Sequence, residues 1–449
     1  MKFQTAFWRK LLPLILPMAL QNIMQSLVSA SDVLMLGLVD QSSLSAVSLA
    51  SQVQFVYSLF IFGLTGGASI LAAQYWGKQD IPSVEQILAI LFRTLVGIGA
   101  VFTAFALFSP ELLMRIFTPD RELIAIGSRY LRMVGLSYLL SGITSTYTCI
   151  MRNCGQAPAA AGISSVFVVL NILLNAVLIF GLLGAPQMGV LGAALATTLT
   201  RAMEAVTILC YTRRRSPIHL RGKLLRMLKI PMTGEFWTQA WIVLANNLIW
   251  GVGITVGSVI LGHLGSDAVA ANSIAVVIKN LVASFCFGLA GGGAVLVGNE
   301  LGAGRLDAGK VYGEKIVSLS LVIGVVSGAI LIALTPLILK VAELSPQAQE
   351  YIRWMIVVCA VNLVGMSHNS ATISGIFPAG GDTRFGFICD IITLWCVVVP
   401  ISLLAAFVWK LPVPVVYIFI NMDELVKFPA VRINLRKYNW VRDLTREHE

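Results

Sequence analysis

The chain has 449 residues, of which 57% are hydrophobic and only 12% charged, with a formal net charge of +10. So little charge excludes an ordinary soluble domain, which carries about a quarter of its residues as charges. Apolar runs of about 20 residues or more recur along nearly the whole length, so the bilayer is the relevant solvent and the chain reads as one all-α polytopic membrane protein.

Gly, Pro and charged residues bound twelve expected transmembrane helices, at residues 11–36, 44–73, 87–108, 123–149, 159–183, 187–211, 233–261, 268–298, 311–339, 347–373, 385–409 and 412–430. The first carries Pro13 and Pro17, which allow a kink, and a single carboxylate, Asp32, near its end. Gln21, Gln25, Ser29 and Asp32 fall at i, i+4, i+8 and i+11, one polar stripe on that helix. An Asp at the centre of a membrane helix costs about 3 kcal/mol on insertion scales, so Asp32 is expected to face a polar interior. At the outer interface, close to Gly37, it would simply be solvated. The small residues of "LVSA" before it also fit a signal-peptide cut after Ala30.

Phe55, Tyr57 on the second run and Trp250 on the seventh can contact a lipophilic cation or face lipid. The fifth run supplies a polar pair, Asn171 and Asn175, at i and i+4. Arg201 and Glu204, three apart on the sixth, are expected to neutralise each other. Residues 212–232 hold the densest basic run and read as a linker lying on an anionic leaflet. On the seventh run Asn246 and Asn247 repeat the positions of Gln21 and Asn22, and all four are expected to line one central space; Glu235 is expected at the interface. Lys279 on the eighth and Asp390 on the eleventh are either partners that close the second half or separate interfacial charges, and both are candidates, with the four amides, for lining the substrate cavity.

About twenty Lys and Arg lie in the connections on one side: near the start, at Lys78 and Arg152, in the run from Arg213 to Lys229, from Arg305 to Lys315, at Arg384 and from Arg432 onward. The opposite connections hold a handful, such as Arg115, Arg121, Lys340 and Lys410. This places both termini on the cytoplasmic side, demands an even number of crossings and opposes the cut after Ala30, which would leave eleven. It also accounts for the positive balance without a nucleic-acid partner. The expected organisation is an N-terminal lobe over 1–211, a basic cytoplasmic linker over 212–232, a C-terminal lobe over 233–430 and a basic tail over 431–449.

A shift of 225 residues lays "GLTGGASILAAQYWGKQD" from Gly63 on "GLAGGGAVLVGNELGAGR" from Gly288, with thirteen identities and no gap between Val33 and Gly77. Two six-helix lobes of the same orientation are therefore expected, related by a pseudo-two-fold along the membrane normal, an arrangement with which transporters enclose a central site. Old copies in a static channel or an enzyme scaffold are the alternative. Gly63, Gly66 and Gly67, with Gly288, Gly291 and Gly292, sit inside apolar runs and read as close helix packing, not phosphate loops. Asp32 has no counterpart, since Gly257 occupies its repeat position. The seven cysteines lie mostly inside apolar runs without CxxC spacing, and the four histidines form no HExxH, so neither a metal centre nor an enzyme is expected.

The twelve runs, the two halves, "LMLGLVDQSSLSAVSLA" with "VILGHLGSDAVAANSIA", the "LGAG" turn at Leu301 and "GGDTRF" at Gly380 together resemble the multidrug and toxic compound extrusion (MATE) family over nearly the whole chain. The resemblance implies a V-shaped pair of six-helix lobes that export organic, often cationic, compounds by alternating access, driven by inward proton or sodium flow. It also implies an ion-coupling site in the N-terminal lobe: Asp32 matches the family's acid on the first helix, Gln25 a polar residue before it, and Asn171 and Asn175 the polar positions on the fifth. Some members carry a second Asp where Asn175 stands, and many carry Arg where Pro378 stands.

No cofactor is expected beyond the coupling ion, H+ or Na+, between which the residues do not choose. An acid can carry a proton, and acid and amide oxygens together can hold sodium. The expected partners are a small organic substrate, that ion and the lipid bilayer of the cell's inner membrane, with the chain working as a monomer. A flippase for a lipid-linked sugar is the rival, although an anionic head group would favour several Arg or Lys in the cavity.

Overall fold

The computed structural model describes residues 2–39, 41–227, 229–341 and 345–445, without the side chains of residues 2–6, 29, 30, 33, 34, 37, 41 and 341. Ser29, expected in the polar stripe, thus lies outside the described side chains. The long helices are α1 (Lys2–Gly37), α2 (Gln41–Gly77), α3 (Ile81–Phe108), α4 (Arg121–Asn153), α5 (Ala157–Phe180), α6 (Val190–Arg215), α7 (Thr233–His263), α8 (Ser266–Gly302), α9 (Leu306–Val341), α10 (Pro346–Ala379) and α11 (Thr383–Val408). Two shorter helices follow, α12 (Val413–Ile420) and α13 (Asp423–Leu435), and no strand occurs among the described residues.

Among the described residues eleven helices are long and apolar enough to cross a membrane. The last expected run, 412–430, is covered by α12 and α13 in succession, broken at Asn421 and Met422 just before the charged Asp423, Glu424 and Lys427. Most helices outrun their apolar runs by several residues, because backbone at the membrane interface still needs its hydrogen bonds while its side chains can turn polar. Leu173, Val206, Trp354 and Ile388 are each more than half exposed, as expected of helices whose outer face meets lipid.

Local chemistry sets the helix ends. The Asp80 carboxylate accepts from Ser83 N and Oγ at the start of α3, Asp120 accepts from Glu122 N at the start of α4, and Ser345 Oγ accepts from Ala348 N in α10. Gly181, with φ of 71°, ends α5 in the left-handed conformation. Within α10 and α11 the helix widens to π-helical turns at Ser370–Ile376, Ile392–Val398 and Leu404–Val408, and the first two are each followed two residues on by a proline, Pro378 and Pro400. A ring that lacks the N–H and crowds the preceding turn is a direct cause of such widening.

The helices gather into two compact units, one made of Met1–Ile23, Ala73–Gln79 and Trp241–Glu449, the other of Met24–Ala72 and Asp80–Ala240. In the second unit Tyr57 is fully buried and donates its hydroxyl to the Tyr138 carbonyl at 2.7 Å, so it belongs to the α2–α3–α4 core and neither faces lipid nor stays available to a substrate. In the first unit Trp440 is fully buried against Gly313 and Gly380. Gln74, at the end of α2, donates to the carbonyls of Ala379 and Arg442 and accepts from Leu444 N at 2.6 Å, so the chain after α13 is packed structure.

The 225-residue repeat reappears as reciprocal helix crossings. Gly302 of α8 meets the Gln74 backbone of α2, and Gly77 of α2 meets the Asn299 backbone of α8. The shift carries residues 74 and 77 to 299 and 302. Gly67 of α2 against Ala240 of α7, and Gly292 of α8 against Ile15 of α1, stand in the same relation, as 67 and 15 shift to 292 and 240. Only a residue without Cβ allows two backbones to approach this closely.

The basic linker after α6 is tied to α3. Glu85, which is buried, accepts from His219 N at 3.2 Å and pairs with Arg221, and Arg93 donates from Nη1 to the Met227 carbonyl at 2.8 Å. Glu85→Ala strips one backbone N–H and one guanidinium of their shared acceptor, a loss of about 1 to 2 kcal/mol. Limited proteolysis in detergent should show trypsin cutting between Arg213 and Lys229 about tenfold faster than in the wild type.

Candidate functional site

Asp32 lies half-buried near the end of α1, and Asn171 and Asn175, both buried, lie one turn apart on α5. Asn175 Nδ2 donates to Asp32 Oδ1 at 2.6 Å and sits 3.3 Å from Asn171 Oδ1, to which it also donates. Asn171 Nδ2 donates to Thr200 Oγ1 at 3.2 Å, and the Thr200 hydroxyl donates to the Ala196 carbonyl on its own helix, α6. One carboxylate is thereby linked through two amides and a hydroxyl to three helices of the same unit.

The chain of bonds leaves one buried acceptor idle: Asn175 Oδ1 has no hydrogen-bond partner among the described residues. It belongs to the same amide that touches the carboxylate, so an acid and a free amide oxygen lie side by side. Such a pair can receive a proton shared between the two oxygens or act as part of the oxygen shell of a sodium ion. Arg201, one residue after Thr200, donates from Nη1 to Glu204 Oε2 at 2.8 Å. Glu204 is buried and also accepts from Ser164 Oγ at 2.9 Å, so the two residues of α6 do neutralise each other. Gln25 is exposed on α1 one unit boundary away from Gln21 and Asn22, which are half-buried.

A second polar cluster fills the other unit. Asp390 on α11 pairs with Lys427 of α13 at 3.0 Å, and its other oxygen accepts from Asn246 Nδ2 at 2.9 Å. The expected pairing of Asp390 with Lys279 is corrected: Lys279 is half-buried on α8, and the partners of Asp390 among the described residues are Lys427 and Asn246. Lys427 also meets Glu424 Oε1 at 3.3 Å and Asp423 Oδ2 at 3.5 Å. Asn247, next to Asn246, instead donates to the Val243 carbonyl of its own helix.

Reading the sequence did not single out Lys427, Asp423, Glu424 or Thr200. The first three carried a usable signal, since three ionisable residues at i, i+1 and i+4 inside an otherwise apolar run are costly unless they meet one another. Thr200 carried none, because a threonine bonded to its own helix is common in membrane spans.

The MatE family model matches residues 17–177 and 242–427 of this chain. A protein of Thermotoga maritima described as "Probable multidrug resistance protein NorM" is 24% identical over 395 residues, covering 88% of this chain and 84% of that one. The "Probable multidrug resistance protein YoeA" of Bacillus subtilis is 23% identical over 432 residues, covering 92% and 90%. Among solved structures, a MOP superfamily transporter from Pyrococcus furiosus superposes with a TM-score of 0.87 at 18% identity over 96% of each chain, which establishes the shared fold. The family match takes in both halves of the repeat, Asp32, Asn171 and Asn175 of the first polar cluster and all of the second, and the chain belongs to the multidrug and toxic compound extrusion family, whose members are membrane transporters and not enzymes.

Proposed function

We propose that this chain exports small organic compounds, chiefly lipophilic cations, by antiport with a proton or a sodium ion through alternating access, and that Asp32, Asn175 and Asn171 form its ion-coupling site. The observation that carries the reading is the bonded series Asp32–Asn175–Asn171–Thr200, which puts one acid and one idle amide oxygen among three membrane helices. A group that costs several kcal/mol to bury and is held this specifically is best explained by what it binds. The relatives described as multidrug resistance proteins support the substrate class.

In this reading the functional halves are residues 1–211 and 233–430, joined by the linker 212–232 and followed by the tail 431–449, with both termini cytoplasmic and the monomer as the working unit in the cell membrane. Gln21, Asn22, Asn246 and Asn247 offer amides to a substrate path, and Gln25 belongs with Asp32 to the proposed ion-coupling site. The test of substrate class uses inverted membrane vesicles supplied with ethidium under imposed proton and sodium gradients. Gradient-dependent uptake of ethidium is expected; transbilayer movement of a lipid-linked sugar without any uptake of the cation would instead support a flippase.

A further inference from the structure

We infer that the ammonium of Lys427 is the resident cation of a three-carboxylate cage in the C-terminal half, so that this cage recognises a primary ammonium and is closed to free inorganic cations. Lys427 is 5% exposed, and its Nζ lies 3.0 Å from Asp390, 3.3 Å from Glu424 and 3.5 Å from Asp423. An ammonium has three N–H donors and no acceptor, and here it has three carboxylates. These separations are those of ammonium ion pairs; oxygen ligands of calcium stand at about 2.3–2.6 Å.

The cage is held from outside. Asn246 Nδ2 donates to the second oxygen of Asp390 at 2.9 Å, and Asn369 Nδ2 donates to the second oxygen of Glu424 at 2.8 Å and to its carbonyl at 2.7 Å. Asn369 is 2% exposed, and its Oδ1, on the amide that grips Glu424, has no partner among the described residues, so a further acceptor stands at the rim. Asp423 and Glu424 occupy the first turn of α13, where the helix dipole favours negative charge. Three carboxylates around one tethered ammonium still leave an acid excess, which is a geometry built to hold a cation and already holding one.

Lys427 is therefore a specificity-determining residue: it occupies the place a coupling ion would need in this half. One corollary alone rests on the reading of Asp32 above: coupling then runs through a single acid site and one ion per cycle.

The test is chemical rescue followed by thermal unfolding of the purified full chain. Lys427→Ala is expected to lower the apparent Tm by about 10 °C, through loss of the buried pair. Propylammonium should restore most of that loss, whereas sodium at equal ionic strength should not, and neither should change the wild type. Restoration by sodium to the same extent, failure of propylammonium, or an unchanged Tm would each overturn the inference. Should Lys427→Ala not fold, Lys427→Met combined with Asp390→Asn, Asp423→Asn and Glu424→Gln removes all the charges of the cage together. It should fold and be blind to propylammonium; its failure to fold, or a response to propylammonium, would contradict the cage. None of these readouts depends on transport, so they stand or fall apart from Asp32.

Discussion

Asp32→Asn should abolish gradient-driven uptake. The substituted side chain has the same shape, and its amide oxygen can still accept from Asn175 Nδ2, so the bonded series to Asn171 and Thr200 survives. What disappears is the charge and the ability to take up and release a proton or to neutralise a sodium ion. A ligand shifts a conformational equilibrium only by its differential affinity for the two states, so a site that no longer binds the ion no longer couples its gradient to the protein. Gradient-stimulated ethidium uptake is expected to fall at least about tenfold, to the level of unenergised vesicles, while ethidium affinity changes little. Retained stimulation would remove Asp32 from the coupling site.

Gly302→Val should be the most damaging small substitution in the helices. A Cβ at residue 302 would overlap the Gln74 backbone, and backbone cannot rotate away as a side chain can. The two helices must separate, and the fully buried Gln74 would pull on Ala379, Arg442 and Leu444 as they do so. Overpacking of this kind costs about 3 kcal/mol or more. The apparent Tm in detergent should fall by several degrees, and Gly77→Val, at the reciprocal position, should behave alike. Gly262→Ala provides the contrast: no atom of the described residues lies within 4 Å of a Cβ there, so the stability should hold to within about 0.5 kcal/mol and the Tm should barely move. Equal behaviour of Gly302→Val and Gly262→Ala would show that the crossing is looser than its geometry.

Much of this architecture was legible in the residues because the bilayer enforces it. Where backbone cannot bond to water, an apolar run of sufficient length becomes a helix, and each long helix lies over its expected run. The repeat was legible too, and its glycines at 67, 77, 292 and 302 turn up at helix crossings. The helix spacing could put Asn171 and Asn175 on one face and Asp32 on a stripe. That the stripe and the face meet is a long-range fact, separated by 143 residues for Asp32 and Asn175.

Other features were hidden for definite reasons. Tyr57 has the composition of a substrate-facing aromatic, and only its bond to the Tyr138 carbonyl reveals a core residue. Asp390 had one expected partner, Lys279, and only the helix break at Asn421 and Met422 leads to Lys427, the residue it pairs with. The burial of Trp440 depends on Gly313 and Gly380, neither near it in sequence.

The most direct test of the central claim is ion flux measured during substrate movement in proteoliposomes. The reconstituted wild type, given ethidium on one side, should move either protons, read by an internal pH dye, or sodium, read by tracer, in the opposite direction, and Asp32→Asn should move neither. Ethidium movement without opposing flux of either ion, or flux in Asp32→Asn equal to the wild type, would contradict the account.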